Sequence, residues 1–398
     1  MNHKENTPRA NRFHIGLFGR RNAGKSSLVN ALTGQDVAVV SEMPGTTTDV
    51  VYKNMELPEV GASVWVDTAG YDDVGELGAL RVEQTLRAAR RVDVALLVVS
   101  GAPSDTELEK EWLVRFREEG IPVLLIYNKV DVDGGVYAGM WGERLGMDVL
   151  CVSARTGEGL DVLRDAVADV YRKTDDSGDL TGSLVKDGDV VLLVMPQDIQ
   201  APKGRLILPQ VQTLRNLLDK KCLVHCCTTD NLQRMLDSLS APPTLLITDS
   251  QVFRQVEQLC PPQTLLTSFS VLFARQKGDI RLFMAGAEVL MNLRPDARIL
   301  IAEACTHVPR NEDIGRVKLP RLLRGRFGDS LQIDIVSGDD FPDTPSGYDL
   351  IIHCGACMFT RRHVLNRLRR ACACSVPVTN YGMAIAALNG ILHKIALP

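Results

Sequence analysis

Four short strings in the first half of the chain have the residue types and the order of a phosphate- and base-binding site. Gly19-Arg20-Arg21-Asn22-Ala23-Gly24-Lys25-Ser26 fits GxxxxGK[ST], follows the apolar run His14 to Phe18, and precedes the helix-like stretch from Ser26 and Ser27 to Leu32. Glycines at both ends let backbone N–H groups curl around phosphates at a helix N-terminus. Lys25 then reaches the terminal phosphate oxygens and Ser26 offers a hydroxyl to Mg²⁺. Asp67-Thr68-Ala69-Gly70 sets a carboxylate where a Mg²⁺-bound water needs one and a glycine N–H near the γ-phosphate. In Asn128-Lys129-Val130-Asp131, the last carboxylate accepts from two guanine N–H groups, a donor pair adenine lacks, which selects GTP over ATP. Ser153-Ala154-Arg155 offers a backbone N–H to the guanine oxygen.

All four strings in this order, each at the end of a predicted strand, resemble the translation-factor-related GTPases, and most closely their TrmE and Era branch, over about residues 12–173. The resemblance implies GTP and GDP binding by Gly19, Arg20, Asn22, Ala23, Gly24, Lys25, Ser26, Ser27, Thr46, Thr47, Asp67, Gly70, Asn128, Lys129, Asp131, Ser153 and Ala154. Lys25, Asn22, Thr47 and Gly70 would act on hydrolysis, and Ser26, Thr47 and Asp67 on Mg²⁺. Pro44-Gly45-Thr46-Thr47-Thr48-Asp49 is similar to that branch's first switch, with Thr47 favoured over its two threonine neighbours. Asn22 is similar to the residue that ligates an activating K⁺ in part of the branch. Tyr71 stands where Ras-like enzymes place a water-orienting glutamine, so slow intrinsic turnover is expected. Glu76 is a weaker alternative for orienting that water.

A second constellation lies near the C-terminus. Cys305-Thr306-His307 follows an expected strand over 298–302, and His353-Cys354-Gly355-Ala356-Cys357 ends another over 348–352. Strand C-termini of a parallel sheet share one edge, so the two groups can converge there. A helix from about Thr360 would point its N-terminus at Cys357 and favour thiolates. Three thiols and two imidazoles suit a closed Zn²⁺ site or a [4Fe-4S] cluster with one exchangeable ligand, and ligand chemistry alone leaves both open.

CxH followed by HCxxC, behind a TrmE-like GTPase region, resembles the family of [FeFe]-hydrogenase maturation GTPases. The likeness includes Ala201-Pro202-Lys203-Gly204-Arg205-Leu206-Ile207-Leu208-Pro209-Gln210, which is similar to the family's middle domain. It implies a homodimer formed through that domain and a [4Fe-4S] cluster on Cys305, Cys354 and Cys357, with Glu303, His307 and His353 competing for the fourth iron. It also implies a scaffold that carries the diiron precursor of the hydrogenase active site, with radical-SAM maturases as donors and apo-hydrogenase as acceptor.

The elements that would position these groups read as α/β throughout: an N-terminal P-loop GTPase fold, then two smaller α/β domains with largely parallel sheets. The expected division is a GTPase domain over 1–173, a polar linker over 174–187, a dimerisation domain over 188–264 and a cluster-binding domain over 265–398. Early strands are expected near 13–18, 50–57, 62–67, 93–100, 122–127 and 148–152. At 398 residues the chain is too long for one ordinary core. Its 45 Lys and Arg against 49 Asp and Glu argue against general nucleic-acid binding. The absence of a long apolar run or an apolar leader makes the cytoplasm the expected location, without a membrane span. Ten cysteines, nine of them after residue 221, then suggest metal binding or burial rather than disulfides. Burial is the favoured account for Cys222, Cys226, Cys227 and Cys260. The basic stretches 316–326 and 361–370 are read as solvated helix faces, or as an attraction for an anionic precursor or an acidic partner. The rival reading is an RNA-linked GTPase with a structural zinc. A zinc hydrolase is less favoured, because no HExxH-like base accompanies the ligands.

Overall fold

The computed structural model describes residues 12–33, 50–72, 76–174, 179–196, 206–304, 313–338, 340–356 and 359–398, with only the backbone described over 76–81. They form two units, 1–175 and 176–398.

The first unit holds a six-stranded sheet built from β1 (Phe13–Phe18), β2 (Val51–Leu57), β3 (Gly61–Asp67), β4 (Val94–Val99), β5 (Val123–Asn128) and β6 (Val149–Val152), in the order β2-β3-β1-β4-β5-β6. Every pairing is parallel except β2 with β3. The continuous apolar runs FHIGLF and VALLVV become strands buried at all six positions, as central parallel strands covered on both faces must be. One core, with Leu28 and Leu163, covers one face, and another, with Trp112 and Phe116, covers the other. Helix Glu107–Glu118 supplies the latter by burying Glu109, Trp112 and Phe116 at the three- and four-residue spacing of one helical face. That a carboxylate occupies the first of these core positions bears on the site below.

The second unit carries two parallel four-stranded sheets. β7 (Val190–Val194), β8 (Leu223–Cys227), β9 (Leu245–Thr248) and β10 (Leu265–Ser268) run in the order β10-β9-β7-β8. β11 (Arg298–Ala302), β12 (Gln332–Val336), β13 (Leu350–His353) and β14 (Val378–Asn380) run β12-β11-β13-β14. The four-residue β10 and three-residue β14 are too short to show a hydrophobic period, and sequence reading missed both. β10 lies just beyond the boundary read at 264/265, yet it pairs with β9 of the preceding sheet. One apolar core runs through both sheets, from Leu192 and Leu246 to Ile299, Ile301 and Ile351. Helix Ile280–Met291 packs on the second of these sheets, against β13 and β14. Asp279 caps it by accepting from the Arg281 and Leu282 N–H groups, and Phe283, Gly286, Ala287 and Leu290 are buried at helical spacing. Gly286 is required there, because a Cβ would fall 2.1 Å from the Val378 carbonyl oxygen.

Packing accounts for Cys222, which is buried, but Cys226 is exposed on β8. Burial pushes the thiols of Cys227 and Cys260 up to about 11, so both stay protonated. Among the described residues no helix is long and apolar enough to cross a membrane.

Candidate functional site

The phosphate loop leaves β1 where only glycine fits. Gly19 has φ +149, and a Cβ on it would lie 2.2 Å from the Val98 carbonyl oxygen of the neighbouring strand. Gly24 has φ +93, and its missing Cβ leaves room for the Asn128 amide. Lys25 is buried and donates to the carbonyl oxygens of Gly19 and Arg20 at 2.9 and 3.0 Å, which holds its ammonium over the loop. The loop's N–H groups open helix Lys25–Thr33, on which Ser26 and Ser27 are exposed. Ala23 is buried beneath it.

Register brings the end of β3 beside this loop, since Asp67 pairs with Leu17. Ser26 hydrogen-bonds the buried Asp67 carboxylate, whose pKa burial raises against the opposing pull of Ser26 and Lys25. Its Oδ1 is buried without a hydrogen-bond partner. An orphaned carboxylate oxygen beside a serine hydroxyl and a phosphate loop fits a hydrated Mg²⁺, whose hard oxygen ligands it matches. Gly70 lies against the same loop: a Cβ there would meet the Arg21 backbone nitrogen at 2.7 Å, and the Arg21 N–H donates to Asp72 at 2.7 Å.

The base-recognition strings meet at the ends of β5 and β6. Asn128 staples them by donating to the Ala23 carbonyl at 3.0 Å and accepting from the Ala154 N–H at 3.1 Å. The Ala154 N–H of the Ser153-Ala154-Arg155 string is thus directed to Asn128. Lys129 adopts a left-handed conformation and donates to the Asn22 carbonyl at 2.6 Å. Asn22 is itself left-handed, with φ +60, and exposed. Asp131 accepts from the Ser153 hydroxyl at 2.5 Å and pairs with Arg155 at 2.7 Å. Those contacts, the serine foremost, hold its carboxyl below the usual range despite some burial.

Two residues behave differently from a simple reading of the strings. The Arg20 side chain turns away from the loop's mouth and forms a bidentate pair with Glu109, at 2.7 and 3.0 Å, so its backbone alone is left to face phosphates. The Tyr71 hydroxyl donates to the same buried carboxylate at 3.0 Å. Thr46, Thr47 and Thr48 lie outside the described residues, as does the side chain of Glu76.

In the second unit, β11 and β13 are neighbours in register, Ala302 opposite His353. The following residues converge at this edge: the Cys354 sulfur accepts from the N–H groups of Ala304, 3.0 Å, and Ala356, 3.4 Å. Two backbone donors thus fix this sulfur at the strand edge. Lys277, buried, donates to the Phe359 carbonyl at 3.0 Å, and a small, mostly apolar cavity is lined by Phe273, Phe283 and Val364 together with Lys277, Cys354 and Asn380. Helix Arg361–Ala373 starts nearby, capped by Thr360. A cysteine sulfur held by backbone N–H groups at the edge where the second cysteine string begins fits a thiolate-bound cluster. Cys305, His307 and Cys357 lie outside the described residues, among which no group of three potential metal ligands gathers.

His353 and Glu303 both have partners. His353 is buried; its Nδ1 donates to the Cys354 carbonyl at 2.8 Å, which leaves Nε2 to accept from Arg367 at 3.1 Å. Burial foremost, then Arg367, pushes the imidazole down to about 3, so it is neutral in ordinary buffers. Glu303 accepts from Arg316, 3.0 Å, and the Ser337 hydroxyl, 3.0 Å. Iron ligation by either would require giving up these bonds. Arg367 is thus a buried partner and Arg316 a half-buried one, whereas Arg321, Arg324 and Arg326 are exposed as a solvated face requires. Sequence reading missed Glu109 and assigned no such role to Arg367, because an acid or base at a helical core position looks like a surface residue until its partner is known.

A doubly wound sheet with a glycine-rich phosphate loop and a guanine-type base pocket at its strand ends defines a P-loop GTPase unit joined to further α/β sheets. Residues 14–129 match the family profile described as 50S ribosome-binding GTPase, residues 180–278 the hydrogen maturase F dimerization domain, and residues 281–398 the hydrogen maturase F tetramerization domain. The chain belongs to the hydrogen maturase F (HydF) family of hydrogenase maturation GTPases, and both C-terminal matches are self-association domains. Relatives of the first unit include the tRNA modification GTPases MnmE of Laribacter hongkongensis, 39% identical over 39% of this chain and 34% of that protein, and of Chromobacterium violaceum, 37% identical over 38% and 33%. The chain thus spans about a third of the length of these relatives. The G domain of the T. maritima FeoB iron transporter is 24% identical over 40% of this chain and 98% of that one, with a TM-score of 0.33.

Proposed function

We propose that the chain hydrolyses GTP and acts as an iron–sulfur scaffold in [FeFe]-hydrogenase maturation, carrying the diiron precursor and handing it to the apo-hydrogenase. The observation that carries this reading is the meeting of Ala304, the residue before Cys305, with the sulfur of Cys354, in a chain whose second unit matches hydrogen maturase F domains. In this reading Cys305, Cys354 and Cys357 hold a [4Fe-4S] cluster, which supplies an iron with one exchangeable position. His353 and Arg367 brace the loop that carries Cys354, and Lys277 adds positive charge beside it. Glu303, His307 and His353 stay the candidates for the open iron, Glu303 and His353 at the cost of the bonds described above.

At the other site, Ser26, Asp67 and Thr47 are assigned to Mg²⁺, and the loop N–H groups with Lys25 to the phosphates. Gly70 is assigned to the γ-phosphate and Asp131 to guanine. Asn22 is assigned to an activating K⁺, which its exposed side chain suits. Since Tyr71 is turned into the core and offers no water-orienting amide, unstimulated turnover is slow. The chain forms homo-oligomers through both C-terminal matches, meets radical-SAM maturases as donors, and works in the cytoplasm without nucleic acid. The likeness to tRNA modification enzymes is confined to 158 residues and does not favour an RNA-linked role.

The test is an anaerobic iron and acid-labile sulfide assay with EPR of the dithionite-reduced protein, comparing wild type with Cys305→Ala. About four irons per chain with a reduced-cluster signal, lost in the variant, is the expected result. One zinc per chain in place of iron would overturn the scaffold reading.

A further inference from the structure

Glu109 is almost fully buried, 1% exposed, in helix Glu107–Glu118, and no phosphate, metal or base is assigned to it. A carboxylate in such a position is costly unless charge-paired and hydrogen-bonded. Its partners come from the two segments that flank a bound γ-phosphate. Arg20, the residue after the first glycine of the phosphate loop, meets it with two parallel N–H bonds. Tyr71, the residue after Gly70, donates its hydroxyl to Oε1. The Tyr71 ring stacks on Trp112 with centroids 5.5 Å apart, so the side chain is fixed by packing as well. A second tie, from the Arg21 N–H to Asp72, lies beside the first.

We infer that Glu109 is a positioning residue for GTP turnover, a buried carboxylate that locks the Gly70 peptide against the phosphate loop through Tyr71 and Arg20. The Gly70 N–H is then preset where a γ-phosphate arrives, while GDP, lacking that phosphate, gains nothing from it. Binding energy that depends on a preset donor appears for GTP and for the transition state and not for GDP. The same bonds withhold the Arg20 guanidinium from the phosphates, so it is no arginine finger in cis. The inference rests on the GTPase reading given above.

Glu109→Gln keeps the size of the side chain but cannot accept at both of its terminal atoms, as the Arg20 fork requires. Tyr71→Phe removes one hydroxyl and leaves the stack on Trp112 intact. Fluorescent GTP and GDP affinities, single-turnover hydrolysis and thermal unfolding are measured on the full chain, with Lys25→Ala as the inactive reference. The GTP-over-GDP affinity ratio and the hydrolysis rate should both fall at least about fivefold in Glu109→Gln, with GDP affinity nearly unchanged. Tyr71→Phe should show a smaller fall, and the double variant should fall by less than the product of the two. Lowered melting with ratio and rate within about twofold of wild type, in both variants, would mean that Glu109 only stabilises the unit and would overturn the inference. Wild type failing to bind or hydrolyse GTP any better than Lys25→Ala would overturn the GTPase reading itself.

Discussion

The backbone N–H of Ala304 donates to the sulfur of Cys354 at 3.0 Å, across 50 residues of sequence. β11 and β13 run parallel and in register, so the segments that leave them emerge side by side, and the second cysteine string meets the residue just before the first. The Cys354 sulfur, held by the Ala304 and Ala356 N–H groups, is thus fixed beside the residue that precedes Cys305.

Cys354→Ala should therefore abolish iron and sulfide uptake in anaerobic reconstitution. GTP affinity should stay within about twofold, because the phosphate loop lies in the other unit. Iron retained at the wild-type level would remove Cys354 from the ligand set.

Arg316→Met strands the Glu303 carboxylate, which is 3% exposed, whereas Arg316 itself is 31% exposed. Losing one partner of a buried pair costs about 3–5 kcal/mol, and the half-buried arginine puts this case at about 3 or below. Glu303→Gln keeps an acceptor for Arg316 and should cost about 1 kcal/mol. Hydrogen exchange of peptides spanning 298–304 is the measurement, since Trp65, Trp112 and Trp141 all lie in the first unit and fluorescence would miss the change. Equal protection in the two variants would show that the carboxylate does not depend on Arg316.

Gly24→Ala should abolish GTP binding without unfolding the first unit. The added Cβ would lie 2.2 Å from the Asn128 amide nitrogen at a φ of +93, so both the loop and its staple to Ala23 must shift. Loss of GTP binding by calorimetry with an unchanged circular dichroism spectrum is the expected result. Binding that survives would mean the loop adapts and Asn128 is dispensable.

How legible was this in the sequence? The strings of the first unit were, because each combines a glycine or a short polar residue with a strand end, and apolar runs such as Val94 to Val99 mark central parallel strands. That the two cysteine strings leave neighbouring strand ends followed from parallel topology alone. What stayed hidden were contacts with no local signature. Glu109 looks like one more acid on a charged helix, Arg367 like one more base in a basic stretch, and the three residues of β14 carry no period. The partners of Glu303 and His353 were equally invisible, so both looked available to iron. Only side chains brought together from distant segments show that their atoms are already engaged.

Base recognition should outlast acidification, and Ser153 is the reason. The Asp131 carboxyl is held below its usual range by the Ser153 hydroxyl first, then by Arg155. For a carboxyl with a depressed folded pKa, the stabilisation of the ionised form is complete above the unfolded value and is lost as pH falls through the folded one. Wild type should thus keep its preference for GDP over IDP, which lacks the exocyclic amine, from about pH 7 down through the ordinary aspartate range near about 4. Taking the ratio of two diphosphates cancels the ionisation of their phosphates. Ser153→Ala removes the main cause of the depression, so its preference should begin to fail at a higher pH than in wild type. Superimposable ratio–pH curves for the two proteins would mean that Arg155 alone holds the charge, and the hydroxyl would then serve only to fix the loop.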